Sequence, residues 1–181
     1  MINIRNADEH DIGELAEIEA ECFSVPWSEK SFSDALHMDN TLFLAAEEIA
    51  GETGGKAEES PVNPATELQK SGSWKIVGYC GLYQALDEGE ITNIAVAVKF
   101  RGRQIGGRLL ERMLLEAVRR GICKIFLEVR ISNTPAIQLY QKYGFTICGL
   151  RKGFYEKPKE DAWLMVWEKK ESCATDDLGG K

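Results

Sequence analysis

Residues 128 to 145 read Glu128-Val-Arg-Ile-Ser-Asn-Thr-Pro-Ala-Ile-Gln-Leu-Tyr-Gln-Lys-Tyr-Gly-Phe145. A strand-like run over 123 to 129 carries Glu128 near its end, and a polar turn follows it. The pattern predicts a helix from Pro135 to Tyr143, with Thr134 as its cap and Gly144 just past its end. This stretch therefore predicts a strand, a turn and a helix in succession.

A second informative segment, residues 101 to 108, reads Arg-Gly-Arg-Gln-Ile-Gly-Gly-Arg. It joins a strand-like run over 88 to 98 to a long amphipathic helix that Gly121 is placed to end. A glycine-rich turn at a helix N-terminus directs free backbone amides at one point and suits a phosphate group. It is not a Walker loop, because Arg108 and Leu109 stand where lysine and serine or threonine are needed. It also comes too late in the chain for a Rossmann turn.

The remaining pattern predicts a mixed-sheet domain of the α/β or α+β class. Strands are expected over 2 to 5, 41 to 47, 74 to 84, 145 to 155 and 161 to 167, and helices begin after Asp8 and Ser28. We expect one domain over residues 1 to 168. Within it, residues 48 to 73 are expected to form a flexible acidic insertion loop, and residues 169 to 181 a disordered tail.

Composition narrows the functional classes. The chain has 181 residues and a formal net charge of −7, although nine basic and three acidic residues fall between Lys99 and Arg130. An acidic chain disfavours general nucleic-acid binding. No apolar run is long enough for a membrane span, and we expect no signal peptide. Five scattered cysteines and two histidines predict reduced thiols in the cytoplasm and no metal centre.

Two motifs resemble the GCN5-related N-acetyltransferases (the GNAT family). Arg101-x-x-Gln104-x-Gly106-Gly107, preceded by Ile94-Ala95-Val96, is similar to the coenzyme A pyrophosphate loop of that family. Asn133-x-x-Ala136-x-x-x-Tyr140-x-x-x-Gly144-Phe145 is similar to its following helix. The resemblance departs at Gln104, where the family usually has glycine.

A narrower resemblance is to the ribosomal-protein alanine N-acetyltransferases, the RimI type. It rests on Pro26-Trp27-Ser28, on Glu128-Val129-Arg130-x-Ser132-Asn133 and on Glu160-Asp161-Ala162, and it covers roughly residues 1 to 168. It implies the GNAT fold, acetyl-CoA as cosubstrate without a metal, and a protein N-terminus as acceptor. The acceptor that it implies is the N-terminal alanine of a small-subunit ribosomal protein.

The resemblance also assigns roles to residues. Glu128 would be the general base, which agrees with a partly desolvated carboxylate near a strand end, and Tyr140 would be the general acid. The cofactor-binding residues would be Ile94, Ala95, Val96, Arg101, Gly102, Arg103, Gln104, Ile105, Gly106, Gly107 and Asn133.

Each role has a structural alternative. Glu128 could instead pair with Arg130, Tyr140 could be a packed core residue, and Asn133 a simple turn residue. At the level of function, the same chemistry on a lysine or a small-molecule amine stays open. A module that binds acyl-CoA without turnover is the other alternative, but it would need neither Glu128 nor Tyr140.

Overall fold

A seven-stranded mixed sheet organises the part of the chain that the structure describes. The structure is a computed structural model, and it describes residues 1–49 and 74–169. The strands are β1 (Ile2–Asn6), β2 (Thr41–Ile49), β3 (Trp74–Ala85), β4 (Glu88–Val96), β5 (Lys124–Arg130), β6 (Thr146–Glu156) and β7 (Lys159–Glu168). Their order in the sheet is β1-β2-β3-β4-β5-β7-β6. Only the β4–β5 pair is parallel, so the predicted mixed-sheet class is confirmed.

Four α-helices cover the two faces of this sheet: α1 (Ile12–Cys22), α2 (Glu29–Leu36), α3 (Ile105–Arg119) and α4 (Thr134–Lys142). Residues of α1 and α2 share one core cluster with Phe43 and Tyr79. Residues of α3 and α4 share the other with Leu127 and Val129. Each face of the sheet therefore has its own pair of helices.

Local signals read from the sequence explain how these helices begin and end. Asp8 forms a capping box ahead of a 3-10 turn that leads into α1. Ser28 caps α2 by accepting a hydrogen bond from the Ser31 amide. The rings of Trp27 and Phe32, which flank this cap, lie 5.5 Å apart and form a hydrophobic staple. Gly144 follows α4 with a φ of +93°, a conformation that glycine adopts without strain.

The structure corrects three local predictions. β4 ends at Val96, and Val98–Phe100 form a 3-10 turn because the chain must bend there to enter the glycine loop. β2 extends to Ile49, so Glu48 belongs to a strand and not to the predicted loop. The cap of α4 is Asn133 and not Thr134, since the Asn133 side chain accepts the Ala136 amide at 3.3 Å.

The two segments that the sequence predicts to be irregular fall almost wholly outside the described residues. Residues 50 to 73 of the predicted acidic loop and residues 170 to 181 of the predicted tail are among those not described. Lys169 is described, and its amide donates to the Cys123 carbonyl at 2.8 Å. This residue is therefore attached to the start of β5.

Candidate active site

The central feature of the site is the divergence of its two parallel strands. β4 and β5 pair only at Glu88 with Lys124, Gly89 with Ile125 and Glu90 with Phe126. Both strands continue, to Val96 and Arg130, without further ladder pairing between them. A gap therefore opens at the carboxyl ends of two adjacent parallel strands, where ligands commonly bind in α/β sheets.

The side of β4 that faces this gap carries main-chain groups that are not paired in the ladder with β5. The Ala97 amide donates to the Val77 carbonyl at 3.0 Å, on the β3 side. Because main-chain groups alternate in direction along a strand, those of Ile94 and Val96 point the other way, toward the gap. The Val96 carbonyl already accepts the Arg101 Nε at 3.1 Å. An extended ligand in the gap could pair with the remaining groups as an extra strand would.

The glycine loop ends in a residue with a left-handed backbone. Gln104 has φ +60° and ψ +14° and stands directly before the first turn of α3. The Arg108 amide donates to the Gln104 carbonyl at 3.1 Å, so the amides of Ile105, Gly106 and Gly107 precede the first such helical bond. They form the amide-rich, positively polarised end of a 15-residue helix, which suits a phosphate group.

The three arginines of this loop hold other parts of the protein. Arg101 Nη2 lies 3.2 Å from Cys22 Sγ on α1. Arg103 forms a two-pronged ion pair with Glu48, with Nη1 3.1 Å from Oε2. Arg108 Nη2 donates to the Ile2 carbonyl at 2.9 Å. All three residues are exposed, so the loop combines a positive surface with contacts that fix it to α1, β1 and β2.

Gly106 and Gly107 also let α3 approach α4 closely. A methyl group added at Gly107 would lie 2.9 Å from the Tyr143 hydroxyl oxygen. One added at Gly106 would lie 3.5 Å from a Leu139 methyl carbon. Packing thus accounts for the glycine at position 107 on its own, and the same contact joins the first turn of α3 to the C-terminal end of α4.

Glu128 lies on β5 with its side chain on the α1–α2 face of the sheet. The burial pattern of β5 alternates, with Ile125, Leu127 and Val129 buried toward α3 and α4, so Glu128 points the other way. Its side chain is 11% exposed. Burial raises the pKa of this carboxyl above its usual range; Arg151 opposes the rise, and the nearby charge of Glu90 adds to it.

The expected alternative for Glu128, an ion pair with Arg130, is wrong. Arg130 Nη1 contacts Glu160 Oε2 at 3.0 Å, and its guanidinium lies 4.0 Å from the ring centre of Tyr155. Glu128 Oε1 instead contacts Arg151 Nη1, from β6, at 2.9 Å. The carboxylate is therefore paired, although with a residue two strands away.

Tyr140 lies on α4 and packs on the opposite face. It is 6% exposed, belongs to the same core cluster as Leu127 and Val129, and has its ring centre 5.8 Å from that of Phe145. Burial raises the pKa of its hydroxyl well above the ordinary tyrosine value. At neutral pH this hydroxyl is protonated, so it can donate its proton to a group that develops negative charge beside it.

Tyr155 is a residue of the site that the sequence reasoning missed. Its hydroxyl lies 3.5 Å from the main-chain carbonyl oxygen of Glu128. Burial raises the pKa of this hydroxyl, Arg130 opposes the rise, and the charge of Glu128 adds to it. Tyr155 therefore lies beside β5 at the position of Glu128. A single tyrosine within a strand-like run gives no local signal of this position.

The turn between β6 and β7 is held over the carboxyl end of β5. Arg130 donates to the carbonyls of Lys157 and Pro158 at 3.0 and 3.1 Å. Glu160 accepts the Ser132 amide at 2.8 Å, and hydrogen bonds from Ser132, followed by Arg130, hold the pKa of Glu160 below its usual range.

A buried carboxyl, Glu19 on α1, anchors the segment before α2. It accepts hydrogen bonds from the Tyr79 hydroxyl, the Asn93 side chain at 2.7 Å and the Trp27 amide at 3.2 Å. Burial raises the pKa of Glu19, although all three hydrogen bonds oppose the rise. The Ser24 hydroxyl donates to the Lys157 carbonyl, so this segment meets the β6–β7 turn at the site.

A strand gap beside an amide-rich loop, with a carboxylate and a protonated tyrosine nearby, is the geometry expected for acyl transfer from a phosphate-bearing cofactor. The family model described as "Acetyltransferase (GNAT) family" matches residues 12–145. The chain belongs to the GNAT family. It is an acetyltransferase, and the family predicted from its sequence motifs is confirmed.

Similar proteins agree with this assignment. The chain is 32% identical over 164 residues to a provisionally named ribosomal protein bS18-alanine N-acetyltransferase of Bacillus subtilis, covering 91% of this chain and 93% of that protein. The crystal structure of the ribosomal-protein-S18-alanine N-acetyltransferase from Escherichia coli matches with a TM-score of 0.75 and 26% identity, covering 97% of this chain and 98% of the other. A crystal structure of NAA60 from Arabidopsis thaliana in complex with acetyl-CoA shares the fold, with a TM-score of 0.72, 17% identity and coverage of 93% and 98%.

Neither a candidate metal-binding cluster nor a candidate membrane-spanning helix occurs among the described residues. Across residues 1–49 and 74–169 no group of three or more histidine, cysteine, aspartate or glutamate side chains is arranged to hold a metal ion. No helix within those same ranges is both long and apolar enough to cross a membrane.

Proposed function

We propose that this GNAT enzyme transfers the acetyl group of acetyl-CoA to the α-amine of a protein N-terminus, and that its acceptor is the N-terminal alanine of a small-subunit ribosomal protein. The observation that carries the proposal is the position of Glu128 and Tyr140 on opposite faces of the sheet at β5, the strand that borders the gap. The names of the bacterial relatives support the acceptor. A ribosomal acceptor also implies that the enzyme works in the cytoplasm.

The cofactor would lie along the gap, with its diphosphate at the start of α3. Main-chain groups of Ile94 and Val96, which point into the gap, would pair with the pantetheine arm, whereas those of Ala95 point toward β3. Amides of the loop from Arg101 to Gly107 would hold the diphosphate, assisted by the dipole of α3. For Arg103 to contribute, its guanidinium would exchange Glu48 for phosphate oxygens.

Asn133 has a more limited part in this proposal than the resemblance implies. Its Oδ1 is engaged as the cap of α4 through the Ala136 amide. Its side-chain NH2 group is the part that would donate to a carbonyl of the pantetheine arm.

The reaction would proceed by direct attack in a ternary complex. The neutral amine nitrogen attacks the thioester carbonyl carbon, so a C–N bond forms while the C–S bond breaks. Glu128 takes the proton that the amine loses, directly or through a water, and Tyr140 gives its proton to the departing thiolate. An α-amine has a pKa of about 8, so a carboxylate of raised pKa is an adequate base.

The electrostatics of the site suit a cationic acceptor. Glu128 and Glu90 lie on the same face of adjacent strands, since Glu90 pairs with Phe126 and side chains two apart on a strand share a face. A protonated α-amine, or a basic peptide behind it, would be attracted to this acidic surface. The same attraction would act on lysine, so charge alone does not select the α-amine.

A peptide array tests the proposal. Peptides that differ in their first four residues are incubated with enzyme and acetyl-CoA, and each sequence is paired with a copy whose α-amine is already acetylated. We expect turnover on peptides that begin with alanine and none on their blocked copies. Equal turnover on blocked copies that contain lysine would assign the enzyme to lysine. Binding of acetyl-CoA with no turnover on any amine would assign it to the non-catalytic acyl-CoA-binding class.

A further inference from the structure

The ion pair between Glu128 and Arg151 spans three strands on one face of the sheet. Glu128 on β5 is opposite Leu164 on β7, which is opposite Gly149 on β6. Residues opposite each other share a face, and so do residues two apart on one strand, which places Arg151 on the face of Glu128. Gly149 has no side chain in the way, and the guanidinium reaches across β7 to the carboxylate at 2.9 Å.

Two other ionisable groups face Glu128 from neighbouring elements. Glu90 on β4 is a second carboxylate on the same face, and it disfavours a negative charge on Glu128. The Tyr155 hydroxyl, from β6, lies 3.5 Å from the main-chain carbonyl of Glu128. At their cross-strand positions β7 offers only Leu164 and Ala162, which do not ionise.

The other nearby cation, Arg130, forms its contacts with groups other than Glu128. Arg130, two residues along β5, contacts Glu160 and the carbonyls of the β6–β7 turn. Among the residues that the structure describes, Arg151 is therefore the cation in contact with the Glu128 carboxylate. Without it, a mostly buried carboxylate would face a second carboxylate alone, and burial of an unpaired charge is costly.

We propose that Arg151 is a positioning residue for the reaction, which keeps the Glu128 carboxylate ionised and oriented so that it can accept a proton from the amine. The inference rests on the proposed role of Glu128 as the base. A carboxylate that is already protonated cannot take the proton, so loss of the guanidinium disables the base at a pH where the native enzyme still works. Burial raises the pKa of Glu128 and Arg151 opposes that rise, in agreement with the geometry.

A purely structural role for the pair predicts a loss of folding stability with no change in the pH dependence of turnover. Replacement of Arg151 should lower the melting temperature modestly under either role, because the Glu128 carboxylate, 11% exposed, loses its partner. Thermal stability therefore does not separate the two roles. The readout that separates the two roles is the protonation of Glu128 itself.

The experiment is a carbon-13 NMR titration of the glutamate side-chain carboxyls in the native protein and in Arg151→Gln, with Glu128→Gln identifying the resonance. We expect the titration midpoint of the Glu128 carboxyl to rise by about one pH unit in Arg151→Gln, because removal of a close opposite charge raises a carboxyl pKa. The pH below which turnover of an alanine peptide falls should rise by the same amount. Arg151→Met, which keeps the stem of the side chain, is a second replacement with the same expected shift.

Arg112→Gln is the matched control. Arg112 is 47% exposed and contacts Glu116 at 2.8 Å on α3, where Arg119 also contacts Glu116, so the control removes the same charge at a position away from Glu128. It should leave the Glu128 midpoint and the turnover profile unchanged. An unchanged midpoint in Arg151→Gln, or a shifted midpoint without a shift in turnover, would overturn the inference. Native turnover in Glu128→Gln would instead refute the proposed base, whatever the titration shows.

Discussion

Replacement of glutamine by glycine should stabilise the protein at position 104 and destabilise it at position 138. The backbone of Gln104 is left-handed, with φ +60°, and its side chain is exposed and makes no capping hydrogen bond to α3. A residue with a Cβ loses roughly 1–2 kcal/mol in this conformation. Glycine removes that strain but loses about 0.5–1 kcal/mol more conformational entropy on folding.

Gln104→Gly should therefore stabilise the protein by up to about 1 kcal/mol, which raises the melting temperature of a chain of this size by about 2–4 °C. Acetyl-CoA binding should stay the same or improve, because the loop reaches its bound conformation with less strain. Thermal unfolding followed by circular dichroism, and titration with acetyl-CoA, measure the two effects.

Gln138→Gly is the matched control, since Gln138 is an exposed glutamine inside α4. The same change in a helix interior should destabilise the protein by about 1 kcal/mol. A fall in melting temperature for both variants would show that the left-handed backbone at position 104 carries no strain. A marked loss of acetyl-CoA affinity in Gln104→Gly would show that the Gln104 side chain contacts the cofactor itself.

Three further predictions concern the site and its support. Glu128→Gln and Tyr140→Phe should each lower kcat by about 10²–10⁴-fold while acetyl-CoA affinity stays within a few-fold. Activity needs an ionised Glu128 and a protonated Tyr140, and burial raises both pKa values. Steady-state rates of the native enzyme should therefore fall on the acidic side at a pH above the ordinary glutamate pKa, and on the alkaline side at a pH above the ordinary tyrosine pKa. Gly107→Ala should destabilise the protein by about 1–3 kcal/mol because its methyl group would lie 2.9 Å from the Tyr143 hydroxyl oxygen. Gly13→Ala, in open space on α1, should not destabilise it. Urea unfolding measures the stability of both variants. Arg103→Ala should weaken binding of coenzyme A more than binding of a phosphate-free pantetheine thioester in calorimetry, and equal losses would refute a diphosphate contact.

Local signals in the sequence were sufficient for most elements of the fold. Ser28 and the pair of Trp27 and Phe32 define the start of α2 because the atoms that form a cap and a staple lie within a few residues of each other. Gly144 marks the end of α4 for the same reason. Local signals did not identify the cap of α4, which is Asn133 and not the predicted Thr134. Both are short polar residues that can accept the hydrogen bond, so the sequence does not distinguish them.

The partners of the site residues could not be predicted in this way. Whether Glu128 pairs with Arg130 or Arg151 depends on the register of β5, β7 and β6, and spacing along the chain does not specify that register. The position of Tyr155 beside the Glu128 carbonyl follows from the same register. The left-handed backbone at Gln104 agrees with the glycine that the related family usually has there, but the residues of this chain gave no signal of it.

The most direct test of the central claim is to locate the acetyl group on an acceptor that offers both kinds of amine. Full-length ribosomal protein bS18 with a free N-terminal alanine is incubated with acetyl-CoA and either the native enzyme or Glu128→Gln, and fragment-ion mass spectrometry then assigns the modified residue. With the native enzyme we expect one acetyl group on the α-amine of the alanine, and with the variant a far slower reaction. Acetylation of lysine side chains with the α-amine left free would refute the proposed acceptor, and equal rates for the two enzymes would refute the role of Glu128.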